Sequence, residues 1–298
     1  MVKPPVQDFP KRLRANFSAF ISRRQERPAA LSEVVRVVRQ RGLTVFAFGG
    51  IPRGVLNSGR YYQPRDLDLV FEDQHFEFFE SAFESFVQRR NSYGGLRLKI
   101  ENMSVDAWPL SATWAFRTGA FAGPSFENLP HTTFLNVDGI IVELSPKKGR
   151  ARRIYEAGFF SAWNDRILDI NLRENPYPAI CVARALCISR RFGFRLSQHL
   201  ATYLWEILST EPMEELLNAQ IKHYGQVEFS KENLHNLRRD LERHFSTSSP
   251  SPFALFQMEM PFFKESTPEW MRNYTSVLGM SAWPEKPCSN PLQKRPNL

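Results

Sequence analysis

Along residues 28–40 the apolar positions Val34, Val35, Val37 and Val38 gather on one side of a 3.6-residue period. Pro28 opens the stretch, Ser32 and Glu33 come early, and Arg41-Gly42 supplies a stop, so the pattern predicts a helix. Residues 43–48 are a short unbroken apolar run, the signature of a buried strand, and Gly49-Gly50 ends it. Residues 51–57 read as a helical turn and 58–64 as a loop. Leu67, Leu69 and Phe71 then alternate with Asp66, Asp68 and Glu72-Asp73, a period of two that predicts a strand. Phe76, Phe79, Phe83, Phe86 and Val87 return at helical spacing, which predicts one amphipathic helix with a buried aromatic stripe. Tyr93-Gly94-Gly95 breaks it, and residues 96–100 and 103–108 read as paired strands.

Residues 133–137 and 140–144 flank Asp138-Gly139, the dipeptide favoured by a type I′ turn, so a hairpin is expected there. From Ala151 the strand signals stop. Residues 179–189, 198–208, 211–221 and 231–245 carry helical patterns. From Ser246 the chain turns to Ser and Pro, ending with Pro284, Pro287, Pro291 and Pro296. No fixed-period repeat is visible. The expected organisation is α+β over residues 1–150, a helical neck or body over 151–245, and a Pro/Ser-rich tail over 246–298 that wraps the surface or lacks fixed structure.

The 298 residues are 42% apolar, enough for one large core or two smaller ones. Cys181, Cys187 and Cys288 cannot build a disulfide framework, and none sits in a CxxC or Cys/His pattern. A reduced, cytoplasmic setting without a zinc site is therefore expected. No apolar stretch approaches the ~20 residues that cross a bilayer, and no secretion-signal core opens the chain, so no membrane partner is expected. Charge is placed unevenly within a net of +8. Residues 1–41 hold ten Lys and Arg against three acids, residues 145–195 hold eleven against four, and the remainder is net acidic. Two basic blocks around an acidic centre suit a polyanion whose reactive end meets carboxylates; the alternative is two solvated helix faces.

Three features of the first half carry chemistry. Gly49-Gly50 follows a buried strand and precedes the segment with Arg53. Glycines there let backbone N–H groups approach a phosphate, and a helix start favours its charge. Asp66 and Asp68, two apart on a strand, project to one face while Leu67 and Leu69 face the core. Such carboxylates repel unless a cation lies between them, and hard oxygens suit Mg²⁺. Asp106 sits in a second alternating strand; if the two strands are neighbours it completes a three-carboxylate cage for two cations. Each feature alone is ordinary: a turn, a strand edge, a surface aspartate.

Their order is more specific: strand, Gly-Gly, helix with Arg, strand with Asp-x-Asp, helix, strands, a third Asp. In this the sequence resembles the nucleotidyltransferase superfamily that includes DNA polymerase beta. Within it, the likeness is to the head and neck of CCA-adding tRNA nucleotidyltransferases and bacterial poly(A) polymerases. Gly49-Gly50-Ile51-Pro52-Arg53 is similar to that family's GGxxR, and Arg65-Asp66-Leu67-Asp68-Leu69-Val70 to its metal-binding strand. The run from Arg184 through Arg190-Arg191-Phe192-Gly193-Phe194 resembles the neck pattern RAxRFAxxxGF. The resemblance spans about residues 43–200. It implies a polymerase-beta-like α+β head, with a mixed sheet and flanking helices, followed by a helical domain. It further implies transfer of NMP from an NTP to an acceptor hydroxyl, with two Mg²⁺ ions on Asp66 and Asp68. Asp106 would hold the catalytic ion and help deprotonate the acceptor. Gly49, Gly50 and Arg53 would cradle the triphosphate, with Arg184 either at the nucleotide or in a structural ion pair. The expected acceptor is RNA, a tRNA end included, with a protein or small-molecule hydroxyl as the alternative.

The sequence also departs from the pattern. Gly54 stands where the family follows GGxxR with Asp, and the loop to Asp66 is longer. Pro130-His131-Thr132 replaces the Arg-Arg-Asp of the family's RRDFTINA strand, leaving its Asn as Asn136. The base-reading EDxxR becomes Tyr177-Pro178-Ala179-Ile180-Cys181, with Glu174-Asn175-Pro176 a displaced echo. Faithful addition of C, C and A is therefore not expected, while the metal chemistry is unaffected. A non-catalytic relative that binds nucleotide or RNA, or a subunit docking a protein through its basic face, are the competing classes. His131 has no partner at nucleophile spacing and reads as structural. GxGxxG and GxxxxGK[ST] are absent, which argues against Rossmann and P-loop sites. Trp108 and Trp114 either stack on a base or fill the core.

Overall fold

One mixed sheet organises the first half of the chain. Its strands are β1 (Val45–Phe48), β2 (Asp66–Phe71), β3 (Val87–Arg90), β4 (Leu96–Ile100), β5 (Met103–Pro109), β6 (Ile140–Glu143) and β7 (Ile154–Glu156), in spatial order β3-β4-β5-β2-β1-β6-β7. The β2–β5 pair is parallel and the other pairings are antiparallel. Around the sheet lie α1 (Phe9–Ser22), α2 (Ala29–Arg41), α3 (Gly50–Ser58), α4 (Asp73–Phe83) and the short α5 (Trp114–Arg117). This is a computed structural model, and it describes residues 8–22, 28–64, 66–247 and 251–255.

The sheet's two faces differ, as the period of two requires. Val45, Ala47, Leu67, Leu69, Phe71, Val105, Ala107 and Val142 point to the helix-covered side and join the large core with Val34, Val38, Phe79 and Phe83. Phe46, Phe48, Val70 and Ile141 point the other way and form a smaller cluster with Trp108 and Tyr155. Asp66, Asp68 and Asp106 lie in the same alternation as that second set. α2 ends where the pattern predicted, at Gly42 in the left-handed region, whose N–H turns back to Val38 and Arg39 carbonyls.

Three expectations fail. The aromatic helix ends at Phe83; Glu84–Phe86 form a 3-10 turn and Val87 begins β3, paired with Leu98. Ladder hydrogen bonds along the sheet edge therefore override the helical spacing of Phe86 and Val87. The expected hairpin at Asp138-Gly139 is also absent: Asn136–Asp138 is a 3-10 turn and Gly139 has φ −73°, not the positive φ of a type I′ turn. Gly139 is needed there for a close approach, since a Cβ would lie 2.8 Å from the Ala157 carbonyl oxygen. Nor do strands stop at Ala151, because β7 extends the sheet and β8 (Ile167–Leu168) pairs with β9 (Arg195–Leu196).

The second half is helical: α6 (Phe159–Asp165), α7 (Pro178–Phe192), α8 (Gln198–Thr210), α9 (Met213–Tyr224) and α10 (Lys231–Ser246). α7 packs along α9, and α8 against α10. Ser230 and Asn233 close a reciprocal capping box at the start of α10. The hydrophobic cluster is continuous from Leu13 to Leu241, so the sheet and the later helices share a core. Phe253 pairs with Leu196 beside β9; the rest of the expected tail, beyond residue 255, lies outside the described residues. Among the described residues no helix is long and apolar enough to cross a membrane.

Candidate active site

β2 and β5 are neighbours, and their parallel register sets Asp68 directly opposite Asp106, with Asp66 two residues earlier on the Asp68 strand. β4 continues the row, because Arg97 is the cross-strand partner of Asp106. Arg97, Asp106 and Asp68 thus line up across three adjacent strands on one face. Asp68 is 2% exposed. Burial first, then the charges of Asp66 and Asp106, push its carboxyl well above the usual carboxylate range. Arg97 grips Asp106 with both forks, Nε to Oδ1 at 2.7 Å and Nη2 to Oδ2 at 2.8 Å. That carboxylate raises the Arg97 pKa in turn.

The oxygen-only donor set and the charge crowded at Asp68 fit a hard divalent cation. β2 and β5 bring the three aspartates expected to form a cage to one face of the sheet. Among the described residues no three His, Cys, Asp or Glu side chains gather as a metal cluster. Arg97 occupies both oxygens of Asp106.

Gly49 joins this row to α3. Its φ of +59° is a conformation that favours glycine, and a Cβ there would sit 3.9 Å from Asp68 Oδ2. The N-terminus of α3 therefore begins beside the carboxylates. One turn on, Arg53 is 5% exposed and its guanidinium bonds to Asp138 Oδ1. Arg184, on α7, donates Nε to the other Asp138 oxygen at 2.8 Å. Of the two roles open to Arg184, the structural ion pair is thus realised, and Arg53 shares it. Burial alone would disfavour the Arg184 charge; Asp138 outweighs that, and the pKa lies above its ordinary value.

Asp138 and Arg184 also line a cavity of about 110 Å³ with Trp114, Tyr177, Ile180 and Cys181. The three residues Tyr177, Ile180 and Cys181 stand where the family's base-reading motif would fall. That stretch of the wall is correspondingly less polar, and burial pushes the Cys181 thiol up to about 12, so it is no nucleophile at neutral pH. Asn175 spends its Oδ1 on the Tyr177 backbone N–H, while Glu174 is exposed. Trp114 faces the cavity, whereas Trp108 packs edge-on against Phe48 and donates to Thr113. His131 stacks on Phe121 and is exposed, in keeping with a structural role.

Tyr62 explains the departure at Gly54. Its ring lies so close that a Cβ on Gly54 would come within 2.2 Å of it, leaving no room for a side chain. The longer loop supplies that ring, whose hydroxyl burial pushes up to about 12. The two basic blocks also meet: Arg14 of α1 donates to the Arg152 carbonyl oxygen at 3.2 Å, on the segment that precedes β7. Sequence reasoning missed Arg97 and Asp138. Arg97 alternates with the buried Leu96 and Leu98 as an ordinary partly exposed strand residue, and Asp138 is masked by its hairpin-like Asp-Gly.

No protein-family model matches this sequence, and no curated protein matches it. Solved structures do. A CCA-adding enzyme from Thermotoga maritima complexed with tRNA(CCA) is similar at 15% identity and TM-score 0.54, over 76% of this chain and 54% of that one. A CCA-adding enzyme in complex with CTP is similar at 14% identity and TM-score 0.53, over 76% and 54%. A tRNA nucleotidyltransferase complexed with a primer tRNA and an incoming ATP analog is similar at 17% identity and TM-score 0.50, over 72% and 60%. The chain thus spans little more than half the length of the structures it matches. The likeness is one of fold: the mixed sheet and the helices that follow resemble the α+β architecture of the head and neck of CCA-adding tRNA nucleotidyltransferases.

Proposed function

We propose that this chain is a metal-dependent nucleotidyltransferase. It moves NMP from an NTP to an acceptor hydroxyl on RNA, a tRNA end included, and releases pyrophosphate. The observation that carries the reading is the juxtaposition at Gly49: a helix N-terminus that suits phosphate begins beside a buried carboxylate that needs a cation. Mg²⁺ bound there would supply charge neutralisation on both sides of an in-line phosphoryl displacement. Asp66, Asp68 and Asp106 are the residues to hold it. Gly49 and Gly50 present backbone N–H groups to the triphosphate. Asp138 fixes Arg53 and Arg184 as a rigid positive wall, and catalysis is positioning and electrostatics.

The cavity between α5 and α7 takes the base. Tyr177, Ile180 and Cys181 supply no acid and arginine to tell C from A by hydrogen bonds, and the Asp138 and Arg184 of the same wall are bonded to each other, so selection is by shape and stacking on Trp114 and Tyr177. Ordered C, C, A addition is therefore not part of the proposal.

The test is incubation of the full chain with each labelled NTP, Mg²⁺ and total cellular RNA, followed by sequencing of labelled 3′ ends. Label on RNA from one NTP, or from several without fixed order, supports the reading. Label only on protein in a lysate moves the acceptor, and no transfer from any NTP overturns the activity. A catalytically silent nucleotide-binding relative is the second reading, favoured by the Arg97 grip on Asp106.

A further inference from the structure

Arg97 has no part in the chemistry just described, yet it is the group most directly bonded to the acidic row. A forked guanidinium on both oxygens is the strongest way to hold a carboxylate. It also uses the lone pairs that a divalent cation needs. The side chains of Arg97 and Asp106 are only 22% and 14% exposed, so water and salt screen the pair little. The register makes the contact a built feature of the sheet, because Arg97, Asp106 and Asp68 are successive cross-strand partners. Lys99, two residues on, points along the same face but bonds to the Asn102 carbonyl instead.

Resting on the nucleotidyl-transfer reading, we propose that Arg97 is a positioning residue that serves as a built-in counter-cation. It holds Asp106 while no divalent cation is bound, and it gives up at least one Asp106 oxygen when a cation enters. Arg97 and the cation therefore compete for one carboxylate. The free protein holds divalent cations weakly, and a cation enters best with a nucleotide whose phosphate oxygens replace the ligands that Asp106 withholds.

The test is titration of Mn²⁺ into the nucleotide-free full chain, read by calorimetry and by the electron paramagnetic resonance of free Mn²⁺. Arg97→Met removes the competitor and should tighten Mn²⁺ binding by about tenfold or more. Arg97→Lys keeps the charge but loses the fork, so it should shift affinity the same way by less. On an Asp106→Asn background, Arg97→Met should tighten binding far less, since the contested carboxylate is gone and only the Arg97 charge beside Asp68 is removed. Circular dichroism and thermal melting establish that each variant is folded; if Arg97→Met is not, Arg97→Lys decides. Affinity in the folded variant within about twofold of wild type, or weaker, overturns the proposal, as does a gain that is undiminished with Asp106→Asn. Asp68→Asn separates the two readings. If it leaves Mn²⁺ affinity untouched, the carboxylate row is not a cation site and the active-site reading fails. If it abolishes binding while Arg97→Met changes nothing, only the role of Arg97 fails.

Discussion

Asp138 receives Arg53 on one carboxylate oxygen and Arg184 on the other, the second at 2.8 Å. One buried anion thereby ties α3, which starts at the glycine pair, to α7, which leads the helical half. Removing one member of such a set strands buried charge. Asp138→Ala should cost about 3–5 kcal/mol of stability, since two buried guanidinium groups lose the anion they share. Asp138→Asn keeps the shape and an acceptor, and should cost less. Urea unfolding measures both, and a loss below about 1 kcal/mol for the alanine variant would mean that the two arginines find other partners.

Asp68 should behave in the opposite way. Its carboxyl is buried beside Asp66 and Asp106, and the charged form is disfavoured. Asp68→Asn removes like-charge repulsion, so without divalent cation the variant should melt at or above the wild-type temperature. Nucleotidyl transfer should nevertheless fall by about 10³-fold or more, because a cation ligand is lost. Calorimetric melting and labelled-NTP transfer are read on the same sample. Retained transfer would remove Asp68 from the chemistry, and a large loss of stability would mean that its carboxylate is satisfied in the fold.

Glu143 supplies a pH dependence. Burial raises its pKa, but the hydrogen bonds of Arg150 and Arg153 outweigh that, and the net shift is downward. A depressed folded-state value means that the unfolded chain binds the proton more readily. The stabilisation is therefore present above the ordinary carboxylate pKa of about 4.3 and is lost as pH falls through the lower, folded value. Glu143→Gln should lower stability at pH 7 by about 2 kcal/mol and flatten the acid limb of the stability profile. Urea midpoints at pH 3 and pH 7 compare the two proteins; an unchanged acid limb would assign that limb to other carboxylates.

Much of the fold was legible because the period-two and period-3.6 patterns coincide with burial. Leu67, Leu69 and Phe71 against Asp66 and Asp68 declared both faces of β2, and the helices after residue 178 fall where their apolar positions recur. The failures share one cause: tertiary partners outside the local window. Val87 left its helical pattern for a ladder with Leu98, and Asp138-Gly139 gave up its turn geometry because the carboxylate meets arginines 85 and 46 residues away. The candidate site was legible in its acids and glycines, whose spacing is local. Its cations were not, since only the strand register reveals that Arg97 faces Asp106, and only the longer loop brings Tyr62 over Gly54.

The two basic blocks make the last prediction. They are far apart in sequence, yet Arg14 bonds to the backbone at Arg152, so α1 and the segment before β7 present adjoining surface. Lys11, Lys147 and Lys148 are exposed on these two elements. If this surface tracks an RNA backbone, each neutralised phosphate contributes about −0.7 to the slope of log K against log salt on a single strand. Reversing Lys11, Lys147 and Lys148 to Glu should then flatten that slope by about 2 and weaken RNAs of different sequence by similar factors, since phosphate contacts position without reading bases. NTP affinity should change little, because none of these lysines belongs to the Gly49–Asp68 contact that sets the phosphate end. Filter binding from about 50 to about 300 mM salt, over which the Debye length shortens roughly 2.5-fold, measures the slope. An affinity indifferent to salt, or to the reversals, would leave the basic surface as a solvated face and favour a protein hydroxyl as the acceptor.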